Sequence, residues 1–308
     1  MPNIWPIKSA KHSYGYNKDK YNFGAVYHLI TGAALPPQSP NNAALAPAIS
    51  DQDGVAACGG FSWAEYFYCR AKQISQPVDS FSENWIYNLA RWMEGTLSQD
   101  AGLSNDDALT MVAKFGILLE KYWPFKNVLD TAAPSSVRQA EAIKYPNFLG
   151  VRVDGGIDGI RSAMAAGHPV VLGGPFFQEW EDAPATGILP IPTPQSVIAG
   201  GHDWLGLDYD DATRLIYAQN SWGIGYAKGG RFYVPYDALT IMAQMGGYDC
   251  HYALFDVLPT PLPPVPPFTP SSCSLGNGIA AVMNILTMQK LRGRKGQFIY
   301  ANPPENKK

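Results

Sequence analysis

Cysteine is scarce in this chain. Four occur among 308 residues, Cys58, Cys69, Cys250 and Cys273, with no CxxC pair and no zinc-ligand spacing. Free thiols in a reducing compartment are the expectation, and neither a metal nor a cofactor is expected. An excess of one charge is also lacking. A net charge of −3, with 16% charged residues, offers no electrostatic footing for nucleic acid or an anionic membrane. No run approaches the ~18 apolar residues a membrane span needs. The opening Met1-Pro-Asn-Ile-Trp-Pro-Ile has no basic start and apolar core, so no signal peptide is expected and the location reads as cytoplasmic.

What is present describes an ordinary globular protein. Apolar residues make up 46% of the chain, and the length suits one large two-lobed domain or two small ones. The stretch around which the rest is organised is Asp51-Gln-Asp-Gly-Val-Ala-Ala-Cys58-Gly-Gly-Phe-Ser-Trp-Ala64. Gly54 and the small residues after it read as a turn. Phe61, Ala64, Tyr68 and Ala71 then follow helical spacing, and Trp63 and Phe67 make the opposite face apolar too. A helix apolar all round is a buried one. Cys58 would occupy its first turn, where the helix dipole and free N–H groups favour a thiolate.

Two more helices are predicted before residue 117. Ser82 caps one that carries Ile86, Leu89, Ala90 and Met93 and ends at Gly95. Ser104 with Asp107 resembles a capping box ahead of Leu109, Val112 and Phe115, with a stop at Gly116. The first lobe, residues 49–145, is thus mainly helical, behind an extended lead-in over residues 1–48.

The pattern changes near residue 147. Residues 151–153 suggest a strand, 157–166 a helix closed by Gly167, and 170–172 a buried strand. A long Pro-bearing loop over 175–199 follows. Two strand-like runs then flank the turn at 210–213. If they form a hairpin, residues whose numbers sum to roughly 423 face each other, which puts His202 opposite 220–222. Residues 231–235 continue as a strand. By alternation Asp203 shares a face with Leu205 and Leu207, so it needs a partner if buried.

Gln52 six residues before Cys58, and the string Asn220-Ser-Trp-Gly223, resemble papain-like cysteine peptidases. The resemblance covers about residues 49–258 and is of the bacterial or phage type, without the long helical inhibitory propeptide. It implies an α+β fold of two lobes, helical over 49–145 and β over 146–257, with the active site in the cleft between them. It further implies Cys58 as nucleophile, His202 as the imidazole that ionises it, Asn220 as the group orienting His202, Gln52 as an oxyanion donor, and Trp222 as the shield over the His202–Asn220 contact. The Cys58–His202 spacing falls in the ~130–150 residues of that family. The implied reaction is hydrolysis of peptide bonds through an acyl-thioester, with a peptide or protein as substrate. Asp53, Ala56, Ala57, Gly59 and Gly60 depart from the family's pattern. Val55 stands where secreted relatives carry a disulfide cysteine. Gly59 and Gly60 put flexible residues in the first helical turn, at about 1 kcal/mol each relative to Ala, which would either loosen the nucleophile or make room for a substrate backbone.

His12, His28, His168 and His251 have no partner pattern, and surface or structural roles are expected of them. Residues 258–272 are Pro-rich, with seven prolines between Leu258 and Pro270, and read as an extended linker. Beyond it, Ile279, Val282, Met283 and Leu286 form an amphipathic helix in a tail over 273–308, a docking element for a partner or a helix folded back on the body. The alternative function is an assembly protein, as in a phage particle, that retains the scaffold and is virion-associated. Acyl transfer of the transglutaminase kind ranks last, because Asp usually stands there where Asn220 does.

Overall fold

The computed structural model describes residues 11–19, 26–28, 34–145, 148–245 and 247–255. The Pro-rich linker and the amphipathic tail anticipated above lie outside the described residues. Both lobes belong to one compact unit, Met1–Ser272.

In the helical lobe α1 spans Cys58–Gln73, α2 Glu83–Glu94, α3 Asn105–Phe115 and α4 Ser136–Ala142. Serine hydroxyls start three of them. Ser82 accepts from the Trp85 N–H, Ser104 from Asp107 and Ser135 from Arg138, each cap worth about 1 kcal/mol. Gly95 closes α2 in the left-handed region at φ +74°, where a side chain would be strained. The start of α1 has no side-chain cap. Its apolar residues, among them Phe61, Trp63 and Phe67, are buried on every side, as its sequence pattern requires.

The β lobe holds a sheet whose strands run β1 Val26–His28, β2 Phe148–Val153, β3 Val170–Phe177, β4 Ile198–Asp210, β5 Leu215–Gln219, β6 Arg231–Pro235 and β7 Asp249–Phe255. Their spatial order is β1-β2-β7-β3-β4-β5-β6. β1 is parallel to β2 and the other pairings are antiparallel. Helices α5 Gly156–Ala165, α6 Gln178–Glu181 and α7 Tyr236–Met245 complete it. The segment read as one long loop over 175–199 contains the end of β3, α6 and the start of β4. β3 is buried at every position, so it lacks the alternation that would have marked its full length.

The β4–β5 hairpin turns where its turn residues predict. A bulge between Gly206 and Asp208 shifts its register, adding a residue that a simple reflection about the turn does not count. α1 packs on β4 and β3, which places the first turn of the helix against the strand that carries His202. Among the described residues no helix is long and apolar enough to cross a membrane.

Candidate active site

Cys58 opens α1 and is fully buried. Its thiol donates to Asp203 Oδ2 at 3.7 Å. Asp203 Oδ1 accepts from Asn105 Nδ2 at 2.8 Å, and Asn105 Oδ1 accepts from Trp63 Nε1 at 2.7 Å. Asp203 has therefore found the partners its burial demands. The two glycines after Cys58 are there for space rather than flexibility. A Cβ on Gly59 would lie 2.4 Å from Leu103 Cδ1 and 2.9 Å from Asp203 Oδ2. One on Gly60 would lie 2.9 Å from the Glu83 carbonyl oxygen. Of the two readings, a looser turn or room made, these approaches favour room, which Leu103, Asp203 and the Glu83 backbone take up.

On β4, His202 is likewise fully buried, with Nε2 2.7 Å from Asn220 Oδ1. Because a carboxamide oxygen only accepts, Nε2 carries the proton and Nδ1 is left with its lone pair. Among the described residues Nδ1 has no hydrogen-bond partner. The Trp222 ring lies 4.4 Å from the imidazole, centroid to centroid, tilted by 30°, and Phe176 meets it edge-on at 5.1 Å. Burial lowers the His202 pKa to about 3, the Asn220 hydrogen bond offsetting only part of that.

Gln52 ties the cysteine segment to the asparagine segment. Its backbone N–H donates to the Ser221 carbonyl at 2.8 Å, and its Oε1 accepts from the Ser221 hydroxyl at 2.7 Å. Its Nε2 donates to the Val55 carbonyl at 2.8 Å and to the Ser13 carbonyl at 3.1 Å.

Ser13 belongs to a strap, residues 11–19, laid across these groups. The His12 imidazole stacks on Trp222 with centroids 3.9 Å apart. Tyr14 points its ring at His202 and Trp222, at 5.9 and 5.7 Å. Gly15 presses on the loop before Cys58 so closely that a Cβ there would lie 1.9 Å from the Ala56 carbonyl oxygen. Backbone hydrogen bonds hold both sides of the strap. Tyr16 N–H donates to the Gly201 carbonyl at 2.9 Å, Leu103 N–H to Gly15 at 2.8 Å and Asn17 N–H to Leu103 at 2.7 Å. The Tyr16 hydroxyl donates to Asp249. None of this was visible in the sequence beyond an extended lead-in.

The ion pair anticipated between Cys58 and His202 is not formed. The thiol hydrogen bonds to Asp203 instead, and no hydrogen bond joins it to the imidazole. Burial raises the Cys58 pKa well above its ordinary value, and the Asp203 charge adds to this, against backbone N–H groups of Asp203, Gly15 and Gly59 that favour the anion. The same burial pushes His202 the other way. Under the strap both partners are therefore neutral, because separated charges would be desolvated at once.

No protein-family model matches the chain. It is similar to an uncharacterized peptidase C1-like protein of Acanthamoeba polyphaga mimivirus, 24% identical over 197 residues, which are 60% of this chain and 63% of that protein. Among solved structures it is similar to xylellain, a cysteine protease from Xylella fastidiosa, at 25% identity and a TM-score of 0.70, over 79% of this chain and 96% of that one. It also resembles digestive procathepsin L 3 of Tenebrio molitor, at 14% identity and a TM-score of 0.57 over 77% and 75% of the two chains. The Carica candamarcensis cysteine protease CMS1MS2 is similar at 19% identity and a TM-score of 0.53, over 71% and 98%. A helical lobe opened by Cys58, an antiparallel β lobe that carries His202 and Asn220, and the likeness to these solved proteases make the fold of this chain papain-like.

Proposed function

We propose that this chain is a cysteine peptidase that cleaves peptide bonds through an acyl-thioester on Cys58, and that residues 11–19 keep it at rest. The observation that carries the reading is the 2.7 Å contact between His202 Nε2 and Asn220 Oδ1. It fixes the tautomer and leaves Nδ1 as the basic nitrogen, the state a general base for a thiol must be in. The likeness to xylellain supports the same chemistry.

In this mechanism the strap leaves and solvent returns, which relieves the desolvation that holds both groups neutral. The Cys58 proton passes to His202 Nδ1 and the sulfur attacks the substrate carbonyl. Negative charge develops on the carbonyl oxygen, where Gln52 Nε2 and the Cys58 N–H donate to it. In the resting protein Gln52 Nε2 already donates to a carbonyl oxygen, that of Ser13. His202 then hands its proton to the leaving amine as the C–N bond breaks. Water, deprotonated by the same nitrogen, hydrolyses the thioester and restores the thiol. Trp222 excludes water from the His202–Asn220 bond, which would otherwise be weakened by exchange with solvent.

An epoxide or vinyl-sulfone thiol inhibitor, with modification followed by mass, tests this. One equivalent should label Cys58, and His202→Ala should abolish the labelling while iodoacetamide still reaches the unfolded chain. Absence of labelling in the folded native protein at every pH between about 5 and 9, with no peptide turnover, removes the reading.

A further inference from the structure

A second constellation of ionisable groups lies where the strap ends. Asp19 closes the described part of the strap, Asp106 stands in the first turn of α3, and His251 lies in β7. His251 Nε2 is 3.2 Å from Asp19 Oδ2 and 3.2 Å from Asp106 Oδ1. The side chains of His251 and Asp19 are each 1% exposed, and that of Asp106 is 13% exposed. We infer that these three residues form a divalent-metal site, suited to zinc, that fastens the strap to the body of the protein.

The geometry suits ligands around a common centre. Nε2 sits within ion-pair reach of two carboxylates, and in the metal-free protein they favour the protonated ring against its burial, yet neither contact is aligned as a hydrogen bond. Both ring nitrogens of His251, Asp19 Oδ2 and Asp106 Oδ2 are buried without a hydrogen-bond partner. Metal–ligand bonds of ~2.0–2.1 Å in a tetrahedron put neighbouring ligand atoms about 3.3 Å apart. The observed 3.2 Å spacings match that figure. The three donor atoms lie within 4.8 Å of one another. Asp19 is held for the task by its other oxygen, which accepts from the Asp106 N–H at 3.1 Å, the kind of outer contact that orients a metal ligand.

Charge points the same way. Asp19 and Asp249 face one guanidinium, that of Arg152, which is 2.7 Å from Asp249 and 3.9 Å from Asp19, and Asp106 joins Asp19 at His251. An imidazolium at 251 would leave this buried group one negative charge in excess. A divalent cation bound by neutral His251 balances it, with the imidazole proton released to solvent on binding. Two carboxylates and one imidazole form a donor set that zinc accepts, with water as the fourth ligand. The ligands come from positions far apart in the chain, so no spacing motif announces them.

The site itself is independent of the peptidase reading. Its role as a fastener rests on that reading, because the strap matters only if Cys58 needs covering.

Equilibrium dialysis of the full-length chain carrying serine at Cys58, Cys69, Cys250 and Cys273 against zinc, read by elemental analysis, tests the site without a competing thiol. One zinc per chain is expected, with affinity falling at least 100-fold in His251→Gln and in Asp19→Asn. Asp19 lies on the strap, so the second variant covers the case in which His251→Gln fails to fold. No bound zinc, or undiminished binding in folded Asp19→Asn, overturns the site. For the fastening role, iodoacetamide labelling of Cys58 in the native chain should slow at least tenfold at saturating zinc, and Asp19→Asn should lose that slowing. Equal slowing in Asp19→Asn refutes the fastener. If Cys58 resists labelling in both proteins with and without zinc, the peptidase reading and the fastening role fall together, while the dialysis result stands.

Discussion

The His12 imidazole lies parallel to the Trp222 indole, 3.9 Å away with only 2° between their planes. Trp222 thus has the His202 ring 4.4 Å away and a ring of the strap 3.9 Å away. An indole that would shield the His202–Asn220 contact also anchors the segment that covers it. Removing the strap therefore disturbs Trp222 as well as Cys58, and every experiment on this site has to separate the two effects.

Gly15 offers the cleanest way to lift the strap. Its missing Cβ would sit 1.9 Å from the backbone oxygen of Ala56, and backbone cannot swing aside as a side chain can. Gly15→Ala should raise the rate of Cys58 alkylation at least tenfold, which corresponds to about 1.4 kcal/mol in the closing equilibrium. Rates are measured with iodoacetamide at fixed pH, alongside a thermal melt that shows the body intact. An unchanged rate means that residues 11–19 do not limit access.

Gln52 carries two separable duties. Its Oε1 accepts from Ser221, a structural tie, while its Nε2 meets a carbonyl oxygen. Gln52→Ala should lower turnover by about 10²–10³ if Nε2 stabilises the oxyanion, with the larger loss in kcat than in KM. Gln52→Glu keeps the tie and loses the neutral donor, so it should be nearly as poor. A fall of less than threefold in either variant removes the oxyanion role.

Asp203 gives a pH dependence whose sign can be worked out. Burial raises its pKa to about 8, against the Asn105 hydrogen bond, which lowers it. In the unfolded chain the same carboxyl ionises near 4. Its contribution to stability is whole below about pH 4 and is lost as the pH climbs to 8, because there the unfolded state has given up a proton the folded state still holds. Urea midpoints of the native protein should fall across that window, and Asp203→Asn should flatten the fall. Glu65 and Glu83, also raised to about 8 by burial, keep part of the slope in the variant. The same substitution removes a negative charge beside the thiol, so the alkylation profile of Cys58 should move to lower pH. A profile that stays put would contradict the electrostatic role assigned to Asp203.

Gly59 and Gly60 set helix propensity against space. Alanine in a helix gains about 1 kcal/mol over glycine. Overpacking a well-filled core costs typically 1–3 kcal/mol. The 2.4 Å approach to Leu103 and the 2.9 Å approach to the Glu83 carbonyl make the second effect win. Gly59→Ala and Gly60→Ala should therefore lower the urea midpoint, Gly60→Ala more stubbornly because its obstacle is backbone. Stabilisation of either variant would show that the close approach is not real.

Local chemistry announced much of this architecture in advance. Ser82, Ser104, Gly95 and Gly116 sit where α2 and α3 begin and end, because caps and stops act on the neighbouring turn and leave a trace in neighbouring residues. The turn at 210–213 marked the β4–β5 hairpin for the same reason. Trp222 beside His202 followed from pairing about that turn, although the bulge between Gly206 and Asp208 could not be counted from it. The fully buried β3 hid its length for want of alternation. His251 and His12 were passed over as unpartnered, since their partners stand more than a hundred residues away in sequence. Asp203 was flagged as needing a partner, yet neither Asn105 nor the Cys58 thiol could be named, as both reach it through the packing of helix on strand.

The covered thiol has a further consequence, for the lifetime of the protein. Peroxide and other oxidants attack the exposed thiolate, not the sheltered thiol. With its sulfur neutral and fully buried, Cys58 would be spared conversion to sulfenic acid while residues 11–19 stay in place, and on the proposed reading the protein would keep its nucleophile intact in an oxidising medium. Only a molecule already opened for work stands exposed to that damage.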